Sequence, residues 1–168
     1  ARRVRGPSSK NANRTSPSSK DAPRVLPMSE VKPGSLAAWR LAIRPKTLSV
    51  GLAPVAVGWA FAYKHGGQAV NLVAVLVAGA AALLLQIASN LANDLFDFYK
   101  GVDREDRVGP VRVTQSGLLS PKQVFVGTVF VLLLAALLGA YLVWVGGYFI
   151  AIVGLAAILS ALAYTGGP

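Results

Sequence analysis

Charged residues all but vanish from three long stretches of the chain. Thr47 to Tyr63 is an uncharged run of 17 residues, His65 to Asn93 gives 29 residues without Lys, Arg, Asp or Glu, and the 46 residues after Lys122 hold no charge at all. A helix that crosses a bilayer needs roughly 17–25 apolar residues. Gly146-Gly147 divides the last run into two pieces, each long enough to cross. The pattern therefore predicts an all-α polytopic membrane protein with four spans, at about 41–63, 69–93, 123–145 and 148–165. The first reaches back to Leu41, so that Arg44 and Lys46 snorkel or face a polar cavity. Pro54 lies within it and predicts a kink. Breaks fall where local chemistry puts them: Ser35 as an N-cap, the HGGQ turn at 65–68, Gly101 and Gly109-Pro110 in the loop, and Ser120-Pro121 as N-cap and first helical position.

Charge changes the picture at the N-terminus. Residues 1–46 carry eleven Lys/Arg against two acids, and residues 47–168 carry six against five. The basic balance belongs to a tail. Residues 1–34 are rich in Ser, Pro, Arg and Lys without apolar periodicity, which predicts disorder, with 35–168 as the membrane domain. An Arg- and Ser-rich, acid-poor tail matches an organellar transit segment, which would place the protein in a chloroplast membrane; without that reading a bacterial inner membrane is expected. A solvated tail touching anionic lipid is the alternative. No aromatic interleaving or motif supports a nucleic-acid partner. The Lys/Arg-rich tail and the 98–122 loop fall on one side of a four-span zigzag, as the positive-inside rule requires. The chain opens without Met and closes against an apolar run, which reads as a piece of a longer protein.

Composition also removes chemistry. There is no cysteine and a single histidine, His65, which excludes disulfides, thiolate metal sites, histidine clusters and a Ser-His-Asp triad. His65 reads as solvated. Trp39, Trp59 and Trp144 read as interface or packing residues.

What remains is the stretch from Gln86 to Arg112, which holds five of the seven acids: Asp94, Asp97, Asp103, Glu105 and Asp106. On a helix, Gln86, Asn90, Asn93, Asp94 and Asp97 share one stripe. A polar stripe on an otherwise apolar span points to function. Carboxylates beside Arg and Lys at a membrane surface suit Mg²⁺ bridging to a phosphorylated ligand, because Mg²⁺ takes oxygen ligands and is completed by phosphates. Asp94 and Asp97 lie one turn apart, and Asp103 can fold back after the Gly101 break. Arg107 and Arg112 suit phosphate oxygens. The bland alternative is a helix boundary and a solvated loop, with Glu105 and Asp106 in loop ion pairs and Asn90 as an interhelical hydrogen-bond partner.

The string NDLFDFYKGVD, followed by DRVGPVRVTQSGLLSPKQV, closely resembles the first aspartate-rich motif of the UbiA-type prenyltransferase superfamily, and within it the 1,4-dihydroxy-2-naphthoate branch. AIRPKTLSVGLAPVAVG and the closing YTGGP add to the resemblance, which covers about residues 36–168. The third Asp comes six residues after Asp97, an extension associated with that branch. The resemblance implies an Mg²⁺-dependent transferase acting on a prenyl diphosphate (phytyl or polyprenyl) and dihydroxynaphthoate within the lipid bilayer, in phylloquinone or menaquinone synthesis. It implies that Asn93, Asp97 and Asp103 hold Mg²⁺ with Asp94 in support. Arg107 and Arg112 would contact the diphosphate, with Lys122, Arg44, Lys46 and Asn90 at the same cavity mouth. Phe96, Phe98 and Tyr99 are near enough to steady a prenyl cation. About nine helices and a second aspartate-rich motif are expected of the family, so a complete site is expected to need sequence beyond Pro168. Two other readings stand beside this one: a relative with another acceptor, homogentisate or a chlorophyllide, and a four-span cation-binding protein that is not an enzyme.

Overall fold

In the computed structural model, which describes residues 30–66, 70–101 and 111–166, the chain forms α1 (Leu36–Ile43), a 3₁₀ turn at Pro45–Thr47, α2 (Leu48–Gly66), α3 (Leu72–Lys100), α4 (Pro121–Gly146) and α5 (Tyr148–Gly166). α3 is the axis of the assembly, packed against α1, α2, α4 and α5. At 29 residues it is also the longest of these helices.

The helix ends follow from local chemistry. Ser35 Oγ accepts the Ala38 N–H at 3.3 Å, and Asn71 Oδ1 accepts the Ala74 N–H at 3.1 Å. Ser120 and Gln123 form a reciprocal capping box ahead of Pro121, at 3.3 and 2.8 Å. α3 stops at Gly101, whose left-handed backbone (φ 61°) turns its N–H back onto the carbonyls of Asp97 and Phe98.

Two boundaries differ from the sequence expectation. The expected first span, 41–63, is broken: Leu41–Ile43 close α1, Arg44 takes a left-handed backbone ahead of the 3₁₀ turn, and α2 begins only at Leu48. Pro45 is the reason. It lacks an N–H and disfavours right-handed helix in the residue before it, and Arg44 accordingly sits at φ 55°. α2 continues through Pro54 to Gly66. In the other case α3 continues past the expected span end at residue 93 to Lys100, so Asp94 and Asp97 ride on the helix as their shared stripe requires.

α3 and α4 are each long and apolar enough to cross a membrane. α2 and α5 have 19 residues each, about 28 Å at 1.5 Å per residue. Many large apolar side chains of α4 and α5, among them Phe125, Leu133, Leu137, Phe149 and Leu155, are exposed. A membrane accounts for such faces, since lipid is their natural solvent.

The buried core lies at one end, where α1, the last turns of α3, the 111–120 segment and the start of α4 converge on Ala38, Leu91, Leu95, Val113, Leu119 and Val124. Val31 joins this cluster, and the Gly34 N–H reaches the Leu118 carbonyl at 2.8 Å. Structure thus begins before residue 35, where disorder was expected to end, because an apolar side chain there finds a partner. Residues 1–29 of the basic tail lie outside the described residues. Trp39 packs over Gly127 so closely that a Cβ there would sit 2.7 Å from the indole ring. Gly51 brings α2 against α3, with the Ala82 carbonyl and Gln86 each 3.3 Å from where its Cβ would be.

Candidate diphosphate and metal site

Because α3 stays helical through Lys100, its polar residues fall on a defined arc. Successive residues turn by about 100° on a helix of 3.6 residues per turn, so Gln86, Asn90, Asn93 and Asp97 lie within about 60° of one another. Asp94 stands about 60° from Asp97, at the edge of the arc toward Leu91. The stripe expected from the sequence exists, with Asp94 on its border.

Asn90 holds the break between the first two helices. Its Nδ2 donates to the Ile43 carbonyl at 2.8 Å and to Thr47 Oγ1 at 2.9 Å, while the Thr47 hydroxyl donates to the Arg44 carbonyl at 2.9 Å. These contacts satisfy carbonyls that the end of α1 leaves open. They also fix the Arg44–Lys46 turn beside the last third of α3. Asn90 therefore has the interhelical part that stood as its alternative. Arg44 is half-buried and Lys46 is exposed.

One turn further on, Asp94 is 2% exposed. Its Oδ2 accepts the backbone N–H of Thr114 at 3.0 Å and also the Thr114 hydroxyl. Thr114 belongs to a compact turn in which the N–H groups of Leu118 and Leu119 both reach the Val113 carbonyl, at 2.9 and 3.1 Å, and Ser116 N–H reaches the Arg112 carbonyl at 3.0 Å. The carboxylate thus pins this turn to α3. Arg112, two residues before Thr114, forms an ion pair with Asp97, the side chains being 8% and 17% exposed.

The structure therefore brings Asn90, Asn93, Asp94, Asp97 and Arg112 to one end of the helical assembly, with the Arg44–Lys46 turn tied alongside and Lys122 exposed in the first turn of α4. Asp103, Arg107, Glu105 and Asp106 lie outside the described residues. Phe96 and Phe98 are half-buried, and Tyr99 is 70% exposed. Thr114 was absent from the residues singled out by sequence. Its only signal was a hydroxyl two positions after an arginine in a turn-forming run, VTQSG.

As a donor set, the amide of Asn93 and the carboxylate of Asp97, both partly exposed and four residues apart, suit a hard divalent cation. Among the described residues no group of three His, Cys, Asp or Glu comes together. The third expected carboxylate, Asp103, is beyond them. Beside the polar cluster, Trp39, Ile43, Ile87, Leu91, Gly127 and Phe130 line an open apolar groove of about 440 Å³ between α1, α3 and α4.

Residues 51–167 match the sequence model of the UbiA prenyltransferase family. The chain is 34% identical over 138 residues to a 1,4-dihydroxy-2-naphthoate octaprenyltransferase of Haemophilus influenzae, an alignment covering 79% of this chain and 45% of the relative. It is 38% identical to the enzyme of that name from Escherichia coli (77% and 44% of the two chains) and 40% identical to that of Mycobacterium tuberculosis (79% and 44%). The alignments thus span a little under half the length of these relatives. No solved structure matches the chain.

Proposed function

The chain belongs to the UbiA prenyltransferase family, and from that premise we propose that the protein transfers a prenyl group from its diphosphate to 1,4-dihydroxy-2-naphthoate, at a site opening on the polar end of α3. The observation that carries this reading is the juxtaposition of Asp97 and Arg112, an anion and a cation held at the end of an apolar helix. The names of the bacterial relatives support the acceptor and favour a bacterial membrane over a plastid as the location. We take all four helices α2 to α5 as spans.

The reaction breaks the allylic C–O bond of the donor and joins the prenyl carbon to a ring carbon of the naphthoate, whose carboxylate leaves as CO₂. Asn93 and Asp97, with Asp103, would hold Mg²⁺. When bound, that ion neutralises charge gathering on the departing diphosphate. Arg112 is already poised beside Asp97, and its planar guanidinium suits two phosphate oxygens at once. Arg107, Lys122, Arg44 and Lys46 complete the proposed set at the mouth, where Asn90 holds the Arg44–Lys46 turn in place. Apolar walls around the prenyl carbon keep water from intercepting the cation. Phe96, Phe98 and Tyr99 offer it aromatic faces.

Asp97→Asn in the full-length protein is expected to lower magnesium-dependent prenyl transfer by at least about 100-fold while leaving membrane insertion intact. The assay is transfer of labelled donors of several chain lengths to dihydroxynaphthoate in isolated membranes, with homogentisate and a chlorophyllide offered in parallel. Activity near wild type in this variant would remove the metal site from the proposal, and transfer only to another acceptor would reassign the substrate.

A further inference from the structure

Asp94 opens the acidic run, yet its surroundings differ from those of Asp97. It is 2% exposed, lies off the arc shared by Asn93 and Asp97, and spends Oδ2 on both the N–H and the hydroxyl of Thr114. A charge-assisted pair of this kind is among the stronger protein hydrogen bonds. Thr114 is also buried, at 4% exposure. The segment it anchors is knit by its own backbone bonds from Arg112 to Leu119 and seats Val113 and Leu119 in the core. The segment is rigid, then, and its bond to Asp94 fixes where it sits along α3. Arg112 rides on that segment two residues away.

We infer that Asp94 is a positioning residue: its carboxylate clasps Thr114 and thereby sets the guanidinium of Arg112 against Asp97 at the diphosphate site. This rests on the prenyltransferase reading for what Arg112 contacts, and on the geometry alone for the clasp. It separates two carboxylates that spacing makes look alike. Asp97 faces the ligand, and Asp94 holds the element that delivers the arginine.

Thr114→Val distinguishes this from a metal-binding role, because it removes the hydroxyl donor and leaves the carboxylate untouched. In the full-length protein in nanodiscs, Thr114→Val is expected to raise the KM for the prenyl diphosphate about tenfold, the worth of one hydrogen bond to a charged group. The magnesium concentration for half-maximal rate at saturating donor should not move. Thr114→Ser, which keeps the hydroxyl, should return the KM toward wild type, and Asp94→Asn should behave as Thr114→Val does. In metal-free protein, amide hydrogen exchange across residues 113–119 should speed up by about tenfold in Thr114→Val and Asp94→Asn and stay at the wild-type rate in Thr114→Ser. Wild-type exchange and KM in Thr114→Val would overturn the proposal. So would an Asp94→Asn protein that needs more magnesium while Thr114→Val does not. If the wild-type protein transfers no prenyl group while the exchange pattern appears as expected, the clasp stands and the enzymatic reading falls.

Discussion

Arg44 holds a left-handed backbone, φ 55° and ψ 68°, that glycine adopts without strain and other residues at about 1–2 kcal/mol. The position is nevertheless an arginine, half-buried at the polar end of α3, and Asn90 steadies the turn by taking up the Ile43 carbonyl and Thr47. The cation and the brace can therefore be tested apart. Arg44→Gly removes the cation together with the strain, and prenyl transfer should fall about tenfold or more. Asn90→Ala should lower the thermal unfolding midpoint in detergent, losing about 1–3 kcal/mol by leaving a carbonyl unsatisfied. Full activity in Arg44→Gly would take Arg44 out of the diphosphate site. The sequence offers Asn90 as an interhelical hydrogen-bond partner without naming the segment it holds, because the bond spans 47 positions. The partner of Asp94 was hidden in the same way: Thr114 is 20 residues along, beyond the loop.

Helices were legible to the degree that their signals are local. Ser35, Gly101 and Ser120-Pro121 end or start helices where expected, since a cap is satisfied by atoms within four residues of it. The separation of α1 from α2 was missed because Leu41–Ile43 were joined to the uncharged run from Thr47 across Arg44 and Lys46, although Pro45 had the information. Packing between elements was the least readable level. Trp39 reads from the sequence as an interface or packing residue without a partner, and it packs across Gly127 where α1 meets α4. Gly127→Ala would place a methyl 2.7 Å from the ring, forcing the indole to swing or α1 to lift. The expected loss is about 1–3 kcal/mol, with a shift in tryptophan emission. Combining it with Trp39→Phe should recover part of that loss, since residues in contact do not act additively. Simple additivity of the two would show that α1 does not pack on α4 in this way.

At the scale of the molecule, the arrangement predicts which loops share a side of the membrane. The end of α3, the 111–120 turn clasped to it, and the Arg44–Lys46 turn tied through Asn90 form one polar end. If α3 and α4 cross the bilayer, the turns after α2 and after α4 must lie opposite. The charges agree: Arg40, Arg44, Lys46, Lys100, Arg112 and Lys122 belong to the polar end, and Lys64 alone to the other. Cations near short loops are retained on the cytoplasmic side, so the diphosphate site should open to the cytoplasm. The chain has no cysteine, so each cysteine introduced into it reports one position. Gln115, His65 and Tyr148 are all exposed and outside the proposed site. A membrane-impermeant maleimide applied to inverted vesicles should modify Gln115→Cys and spare His65→Cys and Tyr148→Cys until detergent is added, and right-side-out vesicles should show the converse. Labelling of Gln115→Cys and His65→Cys from the same side would mean that α3 does not cross, because the two positions sit at its opposite ends. The carboxylates would then lie at a protein surface in water, and the exposed apolar faces of α4 and α5 would need some cover other than lipid.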